Sequence, residues 1–209
     1  MQLADALKKR RSIRNFENSD ISIQDLNTIV KAGTYAPSAK NRQPWYFYII
    51  QDKVTRIAFI HDMDRGIMQL EKKYRQQNIF RPDIESAKCT IKSMKQASAI
   101  IIVACRKKYK KVFKDEVNWF MHALDIEVTD ILSIGAAIQN MLLKATEMEY
   151  GTLWVCDIFY AYPQIIDFLQ TKDAIVSAIC IGKSAEYPQS RPRLSLQEIS
   201  CYYKKEYNE

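Results

Sequence analysis

The sequence predicts one domain of the mixed α/β type over residues 1–209, and three observations predict this class. The chain is long enough to bury a large hydrophobic core, and it contains no internal repeat, low-complexity tract or linker. Its 47% of hydrophobic and 26% of charged residues are typical of a soluble globular protein. Short runs of β-branched and aromatic residues alternate with segments whose apolar residues recur at helical spacing.

The first part of the chain contains two predicted helices. Residues 1–10, MQLADALKKR, are typical of a short helix. After the RRSIRNF segment, Ser22 and Asp25 have the spacing of a capping box, although the aspartate is one methylene shorter than the preferred glutamate. Apolar residues then recur at helical spacing, and Gly33 stands where this helix is expected to stop.

The middle of the chain is predicted to contain two strands separated by helices. WYFYIIQ at 45–51 is rich in aromatic and β-branched residues, which favour strands. Residues 53–96 are predicted to form two or three helices that break near Pro82, with Asp83 as an N-cap. SAIIIVAC at 98–105 is apolar almost throughout, which indicates a strand buried on both faces. The charged stretch RKKYKKVFKDE at 106–116 is predicted to be a loop.

The longest predicted helix covers residues 130–150 and is capped by Asp130. Its apolar residues cover most of its circumference, so we expect burial on several sides, in the middle of the domain or at a subunit interface. Gly151 is expected to end it. The remaining predicted elements are a strand at 152–159, a short helix around YPQIIDFL, a strand at 174–182 and a capping box of Ser195 and Glu198.

Several common enzyme motifs are absent from the sequence. The five glycines are too far apart for a glycine-rich dinucleotide turn or a P-loop. There is no G-x-S-x-G elbow and no H-E-x-x-H motif. Neither of the two histidines, His61 and His122, has a neighbour at metal-ligand spacing, so no metal site is predicted. If the protein is an enzyme, a bound cofactor is expected to carry the reaction.

The cysteines and the N-terminus predict a cytoplasmic protein. The five cysteines include no C-x-x-C pair, and Cys105, Cys156 and Cys180 lie in apolar stretches, which favours buried, reduced thiols over disulfides. The basic residues 8–11 follow one amphipathic turn without an apolar segment behind them, unlike a secretory signal. The longest apolar run is too short to span a bilayer, so no membrane partner is expected.

The net charge of +7 favours anionic partners, and the arginines are candidates to bind them. In an extended segment Arg10, Ser12 and Arg14 point the same way and can converge on one anion. Arg191 and Arg193 repeat this spacing near the C-terminus. The alternative for residues 10–14 is a solvated basic helix end.

A combination of motifs resembles the nitroreductase family of FMN-dependent oxidoreductases. The motifs are R-x-S-x-R at 10–14, P-S-x-x-N-x-Q-P-W at 37–45 and R-x-R at 191–193, in the family's order. Residues 136–142 and 151–154 are also similar to the family's central helix and the strand after it, and the resemblance runs from about Ala6 to Ile199. It implies an α+β fold with a mixed, mainly antiparallel sheet of four strands flanked by helices. It also implies a homodimer in which the partner's C-terminal tail lends a further strand.

The resemblance implies which residues bind FMN. Arg10, Ser12 and Arg14, with Arg11 beside them, would hold the phosphate and part of the flavin ring, and Arg191 and Arg193 would close on the phosphate from the other side. Residues 35–45, YAPSAKNRQPW, form what we call the polar loop. It would reach the flavin bound mainly by the partner subunit, through Pro37, Ser38, Asn41 and Gln43. The competing interpretation, strongest for Lys40 and Arg42, is a turn stabilised by its own asparagine and serine.

The strand end after the long helix is similar to the one that passes the flavin in the family, where a backbone N–H commonly faces N5. The matching residues are Trp154, Val155, Cys156 and Asp157. Many relatives have glycine in this region, whereas this chain has Cys156-Asp157-Ile158. We interpret Cys156 as a packing residue rather than a redox thiol.

The resemblance implies a two-step reaction, in which NADH or NADPH delivers a hydride to FMN and a nitroaromatic, quinone or other conjugated acceptor is then reduced. Arg14 is the candidate for stabilising the negative charge of reduced flavin. Relatives with this fold dehalogenate iodotyrosine or fragment flavin, using a lid that is expected within 106–122. A flavin-binding sensor or store without turnover is another alternative. The RKKYKK run at 106–111 allows nucleic-acid binding, although such runs are more often solvated loops.

Overall fold

An antiparallel sheet surrounded by helices forms the centre of the computed structural model, which describes residues 1–106 and 128–203. Its strands are β1 (Trp45–Ile50), β2 (Ala99–Cys105), β3 (Gly151–Val155) and β4 (Ala174–Gly182), in the order β1-β2-β4-β3. The described helices are α1 (Leu3–Lys9), α2 (Ile23–Thr34), α3 (Lys53–Gln76), α4 (Pro82–Gln96), α5 (Val128–Glu147), α6 (Tyr162–Leu169) and α7 (Leu196–Ile199). The predicted α+β class is confirmed.

The sheet separates two hydrophobic cores, and the central strand β2 serves both. Ile100 and Ile102 pack in the core that also contains residues of α3, α4 and α6. Ile101 and Val103 pack in the opposite core, with residues of α2 and α5. All residues of β2 are buried, as its continuous apolar sequence predicts.

Helix α5 packs one face against α2 and the sheet, with Ile134, Ile138 and Met141 fully buried. On the other side of the helix, the described part of the chain leaves Leu132 67% exposed. The predicted subunit interface on this helix stays a prediction.

Two of the predicted helix caps were wrong. Helix α4 begins with Pro82, because proline is favoured at the first helical position, and Arg81 is the N-cap. Asp83 therefore lies in the first turn, where its carboxylate accepts hydrogen bonds from Arg81 and Tyr160. Asp130 also lies inside its helix rather than at the cap, since α5 already includes Val128.

Two predicted serine caps are present. Ser22 caps α2 and accepts a hydrogen bond from the Asp25 backbone N–H at 3.0 Å. The Asp25 carboxylate accepts a hydrogen bond from the Tyr150 hydroxyl, 125 residues away. Ser195 and Glu198 form the complete capping box of α7.

Gly33 lies in the last turn of α2, which ends at Thr34, one residue beyond the predicted stop. Gly151 does not end α5, contrary to prediction. Each of these glycines permits a close approach. Helix α2 continues through Gly33, and a Cβ there would lie 2.8 Å from Met141 Cγ on α5. Helix α5 ends earlier than predicted, and the left-handed residue that follows it is Glu149, with φ of 62°. Gly151 begins β3, where a Cβ would lie 3.0 Å from Ile13.

The strand predicted at 152–159 ends at Val155, and the chain then forms a 3-10 helix, Asp157–Ala161. The Asp157 carboxylate accepts hydrogen bonds from Ser86 and Thr90 of α4, which fix this turn. Cys156 is consequently exposed, so its predicted burial as a packing residue is wrong, whereas Cys105 and Cys180 are buried as predicted.

The tail from residue 187 to residue 203 has an apolar surface that the described chain leaves exposed. Tyr187, Leu194, Leu196, Ile199, Tyr202 and Tyr203 are each more than half exposed. The exchange of this tail between subunits stays a prediction. Apart from Arg106, the predicted loop at 106–116 and the predicted lid at 106–122, with His122, lie outside the described residues.

Candidate functional site

The arginines predicted to bind an anion line one cavity of about 640 Å³. One wall is the segment after α1, which contributes Arg10, Ser12 and Arg14, and we call residues 10–14 the arginine segment. The other wall is the start of the tail, with Arg191 and Arg193, which we call the tail arginines. Lys8, Arg11, Gln189 and Ser190 also contribute to the lining. We call this space the arginine cavity.

The arginine cavity has an excess of positive charge. Among the described residues, no acidic side chain lines it, and neither Arg10 nor the tail arginines form an ion pair. Burial lowers the pKa of Arg10, and the charges of Arg193 and Arg11 lower it further. Because like charges held together raise the free energy of the empty site, an anion with several oxygens would bind there favourably.

The arginine segment runs along the edge of the sheet, beside β3. The Ile13 N–H donates to the Thr152 carbonyl at 2.9 Å, and Ser12 forms a parallel bridge with Thr152. The Ile13 side chain is buried in the core. Since neighbouring residues of an extended segment alternate in direction, this anchoring turns Ser12 and Arg14 towards the cavity.

Arg11 has a different geometry from its neighbours. Its Nη1 donates hydrogen bonds to the carbonyls of Lys8 at 2.6 Å and Arg10 at 2.8 Å, where α1 ends. Arg11 therefore satisfies carbonyls left open by the helix terminus. It lines the arginine cavity, but part of its hydrogen-bonding capacity is used within the chain.

Glu186 joins the two walls of the cavity, a role that the sequence analysis missed. Its carboxylate accepts hydrogen bonds from the backbone N–H groups of Arg14 and Asn15 and from the Asn15 side chain. The hydrogen bond from the Arg14 backbone is the main cause that lowers the pKa of Glu186. A lone glutamate after a strand carries no sequence signal for this contact, because its partners are about 170 residues away.

The polar loop is held by hydrogen bonds of its own and by contacts with α5. The Gln43 N–H donates to Ser38 Oγ at 3.0 Å, and Gln43 Nε2 donates to Asn41 Oδ1 at 3.2 Å. Arg42 binds Thr129 and Asp130 at the start of α5. These contacts agree with the competing interpretation of a self-stabilised turn, although Pro37, Asn41 and Gln43 keep their side chains exposed.

Within one chain, the polar loop and the arginine cavity are separate. None of Pro37, Ser38, Asn41 and Gln43 is among the described residues that line the cavity. Within the described part of one chain, the loop therefore does not contribute to the cavity. The predicted contact between this loop and a flavin bound by the partner subunit stays a prediction.

The four residues at the end of β3 divide into buried and exposed positions. Val155 is buried in the core, whereas Trp154 is 40% exposed. Although Cys156 as a residue is exposed, neighbouring atoms partly desolvate its thiol, which raises the thiol's pKa, and the Asp157 carboxylate raises this pKa further. The thiol is thus protonated near neutral pH, which disfavours a role as a nucleophile.

The sequence profile of the nitroreductase family matches residues 7–183. The chain belongs to the nitroreductase family. The matched range contains the arginine segment, the polar loop and all four strands. The family predicted from the motifs is confirmed.

Known proteins of this family align with almost the whole chain. A Streptococcus pyogenes serotype M6 protein, provisionally named an NAD(P)H nitroreductase, is 24% identical over 210 residues, covering 95% of this chain and 98% of the relative. The crystal structure of the FMN and NADPH-dependent nitroreductase NfnB from Sphigopyxis sp. strain HMH has a TM-score of 0.75 and 16% identity, covering 98% and 100% of the two chains. This likeness supports the fold.

A shorter match involves a different activity. The iodotyrosine deiodinase of Thermotoga neapolitana is 39% identical over 51 residues, which are 24% of this chain and 27% of that protein. The family and the name of the Streptococcus pyogenes relative agree with the predicted enzyme class, an NAD(P)H-dependent oxidoreductase. FMN, the predicted cofactor, is named for NfnB, a protein of the same fold.

Neither a membrane-spanning helix nor a metal site is found in the described part of the chain. None of its helices is both long and apolar enough to cross a membrane. No group of three or more His, Cys, Asp or Glu side chains is placed there to hold a metal ion.

Proposed function

We propose that this protein is an FMN-dependent oxidoreductase that transfers reducing equivalents from NADH or NADPH to nitroaromatics, quinones or similar conjugated acceptors. The observation that carries the proposal is the arginine cavity, which among the described residues is lined by several guanidinium groups and by no acidic side chain. A phosphate monoester with a charge of about −2 and several acceptor oxygens matches this cavity in charge and hydrogen bonding. Bound FMN would supply the redox chemistry, taking up a hydride and passing it on.

The protein's own residues would hold and polarise the cofactor. Arg10, Ser12 and the tail arginines would bind the phosphate together, because two separate segments of the chain bring them to one cavity. Arg14 lies at the end of the arginine segment and would stabilise negative charge on the flavin. Residues 154–157 would lie along the flavin, with the Cys156 thiol protonated and outside the redox chemistry.

The proposal includes a homodimer, in which each FMN site receives the polar loop of the partner subunit. Two observations support it: the polar loop lies apart from the cavity in one chain, and apolar surface is exposed on the tail and at Leu132 of α5. Residues 1–209 would then form one FMN-binding domain per subunit. The free cysteines support a cytoplasmic location. Sedimentation of the flavin-loaded protein as a monomer would contradict the dimer.

Titration with FMN tests the cavity. We expect the Arg10→Ala/Arg193→Ala variant to bind FMN at least about a hundredfold more weakly than the native chain, because charge-assisted hydrogen bonds contribute about 1.5–3 kcal/mol each. Native affinity should also fall as the salt concentration rises. The matched control removes two arginines of α3, Arg65→Ala/Arg75→Ala, whose ion pairs are exposed. Equal losses in both variants would mean that net charge, rather than this cavity, binds the cofactor.

Dehalogenation is the second candidate, and the match to the Thermotoga neapolitana iodotyrosine deiodinase favours it. Both candidates can be tested in one experiment, in which flavin-loaded protein is reduced anaerobically and then mixed with nitrobenzene, a benzoquinone or iodotyrosine. Reoxidation by the first two compounds supports the proposed function, whereas reoxidation with iodide release supports the second candidate. Flavin that neither NADH nor NADPH reduces would indicate a binding protein without turnover.

A further inference from the structure

Arg42 lies in the middle of the polar loop, yet its side chain turns away from the loop's exposed residues. Its Nε and Nη2 atoms donate to Asp130 Oδ1 at 3.2 and 3.0 Å, and Nη2 also donates to Thr129 Oγ1 at 2.6 Å. The side chains of this ion pair are only 19% and 5% exposed. Burial shields the pair from the solvent screening that weakens surface ion pairs.

The backbone on both sides of Arg42 is in an unfavourable conformation. Lys40 and Asn41 have φ of 53°, and Gln43 has φ of 48°, although none of them is glycine. Residues with a Cβ avoid this left-handed region, so a loop with three of them needs restraints from its surroundings. The backbone of Arg42 itself is in the right-handed helical region, with φ of −69°, so Arg42 separates Asn41 from Gln43, which are left-handed.

The restraints that join the middle of the loop, residues 38–43, to the rest of the described chain converge on the first turns of α5. Besides the Arg42 contacts, Ser133 Oγ accepts a hydrogen bond from the Ala39 N–H at 3.4 Å, which is a weak bond. Ser133 in turn donates to the Thr129 carbonyl. The C-terminal end of the loop is tied separately, because the Pro44 carbonyl accepts a hydrogen bond from the Arg106 N–H at 2.8 Å. Bonds such as that from the Gln43 N–H to Ser38 lie within the loop and cannot orient its middle.

We propose that the Arg42–Asp130 ion pair is a positioning device that holds the polar loop in the strained conformation required to reach the partner subunit's FMN. The inference rests on the proposed function, since it takes the exposed residues Asn41 and Gln43 as the ones that meet the flavin. Arg42 does not touch the cofactor; it fixes the direction in which its neighbours point.

The experiment compares Arg42→Ala, Arg42→Lys and Asp130→Asn with the native chain and with Arg65→Ala, which removes an exposed ion pair on α3. Each variant is titrated with FMN, and the visible circular dichroism of the bound flavin is recorded, because that signal reports the surroundings of the ring. Far-ultraviolet circular dichroism checks that each variant is folded. Arg42→Lys and Asp130→Asn keep nearly the native shape and serve if Arg42→Ala does not fold.

We expect Arg42→Ala and Asp130→Asn to bind FMN about tenfold to a hundredfold more weakly, with an altered flavin dichroism. Arg42→Lys should recover part of the affinity, because an ammonium keeps the charge but not the fork that reaches both Asp130 and Thr129. Arg65→Ala should behave like the native chain.

The outcomes separate this inference from the proposed function. A native chain that does not bind FMN overturns both. A native chain that binds FMN, with variants of equal affinity and unchanged flavin dichroism, overturns the positioning role alone. Variants that lose only unfolding free energy, with the flavin signal intact, overturn it as well, because they leave Arg42 with a purely structural role.

Discussion

The contact between Gly151 and Ile13 determines where the arginine segment lies, and Gly151→Ala tests it. A Cβ at residue 151 would lie 3.0 Å from Ile13 Cγ1 and Cγ2 and 3.1 Å from Cβ. Isoleucine is stiff at χ1 and is buried here, so it cannot rotate away from the added methyl group. The arginine segment would have to move away from β3, which would displace Ser12 and Arg14 from the cavity.

The size of the effect follows from two opposing contributions. Overpacking a buried site by one methyl group costs about 1–3 kcal/mol. Replacing glycine by alanine recovers about 0.4–1 kcal/mol through the lower entropy of the unfolded chain. We therefore expect Gly151→Ala to lower the free energy of unfolding by about 1–2 kcal/mol and to weaken FMN binding.

Urea unfolding and FMN titration measure both effects, with Gly66→Ala as the control. A Cβ at Gly66 meets chiefly the amide end of Gln164, which is flexible, so that variant should stay within about 0.5 kcal/mol of the native stability. In an Ile13→Ala background, Gly151→Ala should cost less, because the space it needs is then open. A Gly151→Ala protein with native stability and native FMN affinity would refute this account of the contact.

Two further predictions concern side chains that link distant parts of the chain. Glu186→Gln should weaken FMN binding at neutral pH, and acidification should weaken FMN binding by the native chain. The hydrogen bonds of the Glu186 carboxylate are fully present above the unfolded pKa of about 4.3. They are lost as the pH falls through the folded pKa, which is lower. FMN titrations from pH 3 to 7 check both, and identical profiles for the two proteins would contradict the role of Glu186. Tyr48→Phe should lower the free energy of unfolding by about 1–2 kcal/mol, since the hydroxyl bonds Thr171 at 2.6 Å and Asp173 at 2.8 Å; unchanged urea unfolding would contradict this estimate.

The elements that the sequence predicted well are those whose information is local. The strands at 45–50, 99–105 and 174–182 follow from continuous apolar runs, and the capping box of α7 follows from two residues three apart. The wrong predictions concern positions whose role depends on a contact with a residue far away in the sequence. The preference of glycine for helix ends predicts stops at Gly33 and Gly151, whereas close contacts with Met141 and Ile13 account for the two glycines. No periodicity within either segment reveals those neighbours.

In the candidate site, too, features with a local sequence pattern were predicted, and features that depend on distant residues were not. The period-2 spacing of Arg10, Ser12 and Arg14 predicted a common direction, and their meeting with the tail arginines came from the family resemblance rather than from any local pattern. Glu186 and Arg42 were missed as linking residues, because each acts through partners that the fold brings together. Propensity also gives no signal for the left-handed conformation of Lys40 and Gln43, whereas Asn41 is of a type that adopts it more readily.

The most direct test is an absorbance spectrum of the purified protein, with and without added FMN, followed by anaerobic addition of NADPH or NADH. The account predicts flavin absorption bands that stay with the protein through gel filtration and bleach when the nicotinamide is added. A colourless protein that does not retain added FMN would contradict it, and the arginine cavity would then need a different anionic ligand.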